Sequence, residues 1–191
     1  TMYSRLLRSP TTSFFLLGAR GIGKSTWARF RYAPAFRVDL LDEALYQRLL
    51  AEPGLFAGML GAVTEGEWVV VDEVQRIPGL LNEVHRFIEN RRLRFALLGS
   101  SARKLKTAGT NLLAGRALWK TMLPLVPEEL GGDFDLERAL SFGTIPLVWT
   151  AEDPRATLEA YVQLYLREEI KAEALVRNLP GFARFLPVAA L

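Results

Sequence analysis

The chain has no cysteine and one histidine, His85, among 191 residues. The first absence excludes disulfides, zinc–thiolate sites and thiol catalysis. The second excludes a histidine metal cluster, and His85 has no second histidine with which to build a site. No uninterrupted apolar run approaches the ~18 residues that cross a bilayer, so no membrane partner is expected. Arg5 and Arg8 are not followed by an apolar core and a small-residue cleavage site, which sets a cytoplasmic location as the expectation. Neither sign of charge is scarce: 24 Lys and Arg against 21 Asp and Glu leave a formal net charge of +3, which neither demands nor excludes nucleic acid. What is present is globular composition, with 50% hydrophobic and 24% charged residues. That is enough for one packed domain and part of a second. Thr1 precedes Met2, and the chain stops in the uncapped apolar stretch Pro187–Leu191, so a fragment of a longer protein is expected.

Short apolar runs alternate with longer amphipathic ones. Ser13–Gly18, Phe36–Leu40, Trp68–Val71 and Arg94–Leu98 read as buried strands. Trp119–Leu125 reads as a fifth, held to an edge or an end by Pro124. Near-continuous apolar strands separated by helices imply a parallel sheet covered on both faces. Helices are expected from Gly23 or Lys24, from Asp42 to Leu50, and from Gly79 to Arg91. In the last, Leu80, Leu81, Val84, Phe87 and Ile88 share a face. After about Glu128 the pattern changes. Gly131-Gly132-Asp133 reads as a turn or linker. Leu136–Phe142 reads as a short helix broken before Pro146. Asp153-Pro154 opens a long helix striped by Leu158, Tyr161, Val162, Tyr165, Leu166 and Ile170, and Asn178–Gly181 ends it. The expected division is therefore a core over residues 1–130 and an all-helical segment over 131–191.

Gly18-Ala19-Arg20-Gly21-Ile22-Gly23-Lys24-Ser25 fits G-x-x-x-x-G-K-[ST] at every fixed position. Such a match arises by chance in roughly one chain in a hundred of this length, and a strand before it with a helix after it sharpens the match. Glycines let backbone N–H groups turn inward around a phosphate, and the following helix, with Thr26 in its first turn, offers its positive end to the same anion. Lys24 would reach the β- and γ-phosphates and the Ser25 hydroxyl would hold Mg2+. Trp68–Glu73 is an apolar strand ending in two acids, at the strand end where such sheets bind ligands. Asp72 is placed to hold magnesium and Glu73 to polarise the attacking water. The bland alternatives are solvated acids or a helix cap.

Phe95–Ser101 is a strand ending in small polar residues. Ser100 or Ser101 could contact the γ-phosphate as a sensor, or cap the next helix. An arginine finger would come from Arg116, with Arg103 as competitor and Arg20 third; the alternative for each is a surface arginine or one paired with a glutamate. Asp39 reads as a cap or turn, Glu168-Glu169 as a solvated face, and His85 as surface or half-buried. The clusters Arg91-Arg92-Leu93-Arg94 and Arg103-Lys104-Leu105-Lys106 read as solvated loop charge before nucleic-acid contacts, since no aromatic stacking platform accompanies them. Tyr3, Arg5 and Leu6 are candidates to approach a base. No guanine-selecting motif is present, so ATP is the default nucleotide.

The runs FFLLGARGIGKSTW, WVVVDEVQRIP, LRFALLGSSARKL and NLLAGRA resemble the AAA-type ATPases of bacteria and archaea. More narrowly, they resemble the prokaryotic family in which an AAA-like core is joined to a C-terminal domain of unknown function. The run YLREEIKAEALVRNLPGFARFL is similar to the start of that domain. The resemblance implies a P-loop NTPase three-layer α/β sandwich with a catalytic glutamate. It assigns Lys24 and Ser25 to phosphate and magnesium, Asp72 and Glu73 to the second motif, and Ser100 or Ser101 to the sensor. Gln75 and Arg116 are matched positions without a firm role. Ala19 stands where the family often has proline, and most of the C-terminal domain is absent. ATP, ADP and Mg2+ are the implied ligands, with a homo-oligomer if Arg116 acts in trans and a protein or DNA partner if the chain is a nucleotide-regulated scaffold.

Overall fold

A computed structural model describes residues 3–100, 105, 113, 115–165, 181, 182, 184, 185 and 188. The chain divides into two compact units, Tyr3–Pro124 and one that begins at Leu125. The first holds a parallel sheet of β1 (Phe14–Leu17), β2 (Phe36–Asp39), β3 (Trp68–Asp72), β4 (Arg94–Gly99) and β5 (Leu118–Thr121), in the order β2-β3-β4-β1-β5. All four pairings are parallel. The helices are α1 (Lys24–Arg31), α2 (Glu43–Ala51), α3 (Gly54–Met59) and α4 (Leu80–Arg91).

Alternation along β1 explains the layers. Phe15 and Leu17 join Val38, Val69, Val71, Phe95 and Leu97 in one cluster, which Leu49 of α2, Phe56 of α3, and Leu81, Val84 and Phe87 of α4 complete. Phe14 points the other way, edge-on to Trp27 of α1 at 6.1 Å and near Tyr32 at 5.7 Å. Both faces of the sheet are thus covered by helices. That is why β1 can be the uniformly buried run Phe14-Phe15-Leu16-Leu17.

The helix starts follow local chemistry. The Asp42 carboxylate caps α2 by accepting from Leu45 N–H at 3.1 Å. Asp39 accepts from Leu41 N–H at 2.9 Å, closing the turn that the sequence suggested. One element was not expected and two expectations change. Residues 53–62 carry α3 and a 3-10 turn, because Phe56 and Leu60 are fully buried and override the helix-breaking Pro53, Gly54 and Gly58. The fifth strand starts at Leu118 and ends at Thr121, short of Pro124, at the sheet edge. The arginine run before β4 is not simply solvated. Arg91 donates to the carbonyls of Leu60, Gly61 and Val63, and Arg94 donates to Gly66 O at 2.7 Å while lying over Trp68.

The described part of the second unit is helical: α5 (Pro127–Leu130), α6 (Leu136–Phe142), α7 (Pro146–Trp149) and α8 (Pro154–Tyr165). Gly131–Asp133 forms a 3-10 turn. Pro146 does not merely break a helix; it occupies the first turn of α7, where no N–H is needed. Asp153 caps α8 by accepting from Ala156 N–H at 3.0 Å. On α8 Leu158, Tyr161 and Tyr165 are half-buried, whereas Val162 is exposed. Arg138 of α6 donates to Trp149 O at 2.8 Å and lies over that indole. Leu166, Ile170, Glu168-Glu169 and the expected helix end at Asn178–Gly181, apart from Gly181 itself, lie outside the described residues.

Candidate functional site

The loop from Gly18 to Ser25 leaves the C-terminal end of β1, the strand that β4 and β5 flank. Its path is fixed by contacts no other residue type would permit. A Cβ on Gly18 would lie 2.3 Å from Ile22 Cδ1 and 2.4 Å from Met122 O. Gly21 and Gly23 have φ of 73° and 91°, the left-handed region that glycine enters without a Cβ penalty. Gly23 then starts α1, with Trp27 N–H bonding Gly23 O at 2.9 Å. The loop is therefore a concave run of backbone ending at a helix N-terminus, the geometry that favours an anion.

Lys24 is buried, at 6% exposure. Its ammonium donates to Gly18 O at 2.7 Å and Ala19 O at 3.0 Å. These bonds hold the ammonium against the loop backbone, and its charge is felt at Glu73. Ile22 is buried, Ser25 and Ala19 are half-buried, and Arg20, Gly21 and Thr26 are exposed.

The C-terminal ends of β2 and β3 bring Asp39 and Asp72 into register. Asp72 Oδ1 accepts from Glu73 N–H at 3.1 Å. Glu73 itself has φ 55° and ψ 41°. A left-handed non-glycine residue costs about 1–2 kcal/mol, and this one turns the chain sharply off β3. The Val74–Arg76 3-10 turn follows and folds Gln75 back beneath it. Burial raises the Glu73 pKa above its ordinary value. The Gln75 hydrogen bond, the Lys24 charge and the Arg20 charge oppose that rise, and Asp72 reinforces it. Arg76 braces the turn from outside, pairing with Glu43 at 3.0 Å and stacking 4.0 Å from the Tyr46 ring centroid.

β4 lies between β1 and β3, so Ser100 at its end falls between the phosphate loop and the acidic pair. Ser100 Oγ accepts from Gln75 Nε2 at 3.1 Å. Ser101 and Arg103 lie outside the described residues. Arg116 is not brought to the loop. It precedes β5, whose Leu118 pairs with Phe14 at the start of β1, and its guanidinium pairs with Glu89 in the last turn of α4. The length of β1, roughly 13 Å at ~3.3 Å per residue, separates that end of the sheet from Gly18.

Two residues that the sequence named take roles it did not give them. Gln75 links Glu73 to Ser100 and is nearly buried, at 7% exposure. Arg5 is a brace: it donates to Ile22 O at 3.0 Å and to the carbonyls of Leu123 and Pro124, tying the N-terminal segment to the loop and to the chain leaving β5. Tyr3 is half-buried and Leu6 is 63% exposed. The unbroken spacing of the loop motif offered no signal for either.

A family model described as AAA domain matches residues 11–131. No curated protein matches the chain. Among solved structures, the chain is similar to a RuvB variant from Thermotoga maritima, with 18% identity over 84% of this chain and 56% of that one, at a TM-score of 0.46. It is similar to Orc1 from Aeropyrum pernix in complex with DNA, with 14% identity over 85% of this chain and 56% of that one, at a TM-score of 0.50. C. elegans PCH-2 matches 60% of this chain and 36% of its own, with 16% identity and a TM-score of 0.40. The chain thus spans about half the length of RuvB and Orc1. At these identities the likeness is one of fold.

Proposed function

This chain belongs to the AAA domain family, with a P-loop NTPase fold, and on that premise we propose that it binds ATP with Mg2+ on Gly18–Ser25 and hydrolyses it. The observation that carries the reading is the buried Lys24 ammonium resting on Gly18 and Ala19 carbonyls. On binding, Lys24 exchanges those carbonyls for β- and γ-phosphate oxygens while loop N–H groups hold the remainder. Glu73 accepts a proton from water as its oxygen bonds to the γ-phosphorus and the bond to the bridging oxygen breaks, leaving ADP. Ser100 or Ser101 contacts the γ-phosphate.

Ser25 and Asp72 fit magnesium: a hydroxyl and a carboxylate oxygen are hard donors. Among the described residues no group of three or more His, Asp or Glu could hold a metal. That suits an ion which takes one or two protein oxygens and completes its shell with phosphate and water. When bound, Mg2+ supplies neutralisation of the phosphate charge.

The test is ATP binding and phosphate release with Mg2+, beside Lys24→Ala and Glu73→Gln. Lys24→Ala should lose binding, and Glu73→Gln should bind without turnover. Wild type that binds no ATP sinks the proposal.

The placement of Arg116 favours a second reading, a nucleotide-regulated scaffold with little intrinsic hydrolysis. In that reading another subunit or a protein or DNA partner supplies the arginine finger, as in a homo-oligomer where Arg116 acts in trans. Either way nucleotide state would regulate the segment after residue 130, read as the start of a C-terminal module, in the cytoplasm. Among the described residues no helix is long and apolar enough to cross a membrane.

A further inference from the structure

We propose that Gln75 is a positioning residue for hydrolysis, holding the Glu73 carboxylate with one amide N–H and Ser100 with the other. This rests on the ATPase reading. The carboxamide has two N–H donors on one nitrogen. One goes to Glu73 Oε2, two residues back across the 3-10 turn. The other goes to Ser100 Oγ at 3.1 Å, across the strand gap from β3 to β4. The group expected to activate water and the serine that follows the neighbouring strand are therefore joined through a single buried side chain.

Three observations separate this role from filling space. Gln75 Oε1 is buried and has no hydrogen-bond partner among the described residues. An apolar residue would avoid that cost, so the amide nitrogen is the part the fold retains. Gly99 has no Cβ where one would lie 2.3 Å from Gln75 Oε1, so β4 ends in the residue that admits the carboxamide. Finally, Glu73 stands in left-handed backbone, and a carboxylate on such a turn needs a fixed partner to hold one direction. Ser100, by accepting from Gln75, keeps its own O–H for donation to an anion, which a hydroxyl can do while accepting. A shift of Ser100 toward a γ-phosphate is thereby felt at Glu73.

The experiment measures single-turnover phosphate release and Mg-ATP affinity separately for wild type, Gln75→Met, Gln75→Asn, Ser100→Ala, Glu73→Gln and the doubles Gln75→Met/Ser100→Ala and Gln75→Met/Glu73→Gln. Methionine keeps the length and volume but removes both donors. Expected are Mg-ATP affinity within about twofold of wild type and a turnover about tenfold or more lower for Gln75→Met, since a misaimed base loses rate without losing ligand. Gln75→Asn, which keeps the carboxamide, should recover part of the rate. Each double should be no slower than its slower single variant. Ser100→Ala reads the link from the other end should Gln75→Met fold poorly.

Wild-type turnover in both Gln75→Met and Ser100→Ala overturns the proposal and leaves the ATPase reading intact. So does a loss of Mg-ATP affinity that accounts for the lost rate, or additivity in the Gln75→Met/Ser100→Ala double. Wild type no faster than Glu73→Gln overturns the ATPase reading and this inference with it.

Discussion

A Cβ built on Gly99 would meet Gln75 Oε1 at 2.3 Å and the Gln75 carboxamide carbon at 3.3 Å. The end of β4 is therefore closed to any side chain while Gln75 keeps its place. Gly99→Ala should destabilise by about 1–3 kcal/mol, the usual cost of overpacking. In a chain of this size that lowers the melting temperature by roughly 2–4 °C per kcal/mol. Gly99→Ala/Gln75→Ala should recover most of it, since the second change removes the obstructing atoms. Thermal unfolding of the two variants decides: equal melting of Gly99→Ala and wild type would mean that Gln75 yields freely.

Glu73 predicts the acid limb of the rate profile. Burial raises its pKa above the ordinary 4.5, so the deprotonated base is lost on acidification sooner than an exposed glutamate would be. Turnover should fall as pH drops through a midpoint above 4.5, while ATP affinity falls less. Removing the Gln75 hydrogen bond, which opposes the rise, should move the limb to higher pH in Gln75→Met. Single-turnover rates from pH 4.5 to 8 check both. A residual rate in Glu73→Gln with the same acid limb as wild type would remove Glu73 as the base.

Tyr32 makes a prediction at the alkaline end. Its side chain is 5% exposed and its hydroxyl donates to Pro10 O at 2.9 Å. Burial pushes its pKa up from 10.0 to about 12, against smaller opposing effects from Ser9, Arg94 and Arg31. The folded state therefore keeps this proton where the unfolded chain releases it. Its contribution is fully present below pH 10 and is lost as pH rises toward 12. A one-unit shift corresponds to ~1.4 kcal/mol, and partial screening leaves roughly 1–2 kcal/mol at stake here. Denaturant unfolding between pH 9 and 11.5 should show wild type losing stability faster than Tyr32→Phe. Parallel curves would refute the assignment.

Much of this was legible because it is local. The apolar runs at Phe14–Leu17 and Trp68–Asp72 are strands by composition, and the Gly18–Ser25 spacing prescribes its own backbone. The role of Gln75 was not legible, because it depends on the left-handed turn at Glu73 and on Ser100, 25 residues away. α3 was hidden by Pro53, Gly54 and Gly58, whose weak propensity the burial of Phe56 outweighs. The arginines before β4 looked solvated because sequence shows charge and not the carbonyls of residues 60–66 that receive it.

Arg116 is the position where the sequence left two readings open, a finger or an arginine paired with a glutamate. From sequence it follows the Ser100 strand and invites the role of finger. The register of Leu118 on Phe14 puts it instead at the end of the sheet away from Gly18, on Glu89. In dilute protein, Arg116→Ala should therefore leave Mg-ATP affinity and turnover within about twofold of wild type, far from the ~10³-fold loss of a finger acting in cis. A finger acting in trans has a different signature. Wild-type specific activity would rise with protein concentration as chains associate, and Arg116→Ala would stay at the dilute value. Turnover measured across a hundredfold concentration range separates the cases. A large loss in Arg116→Ala at the lowest concentration would mean that the Glu89 pair opens and the arginine reaches its own loop.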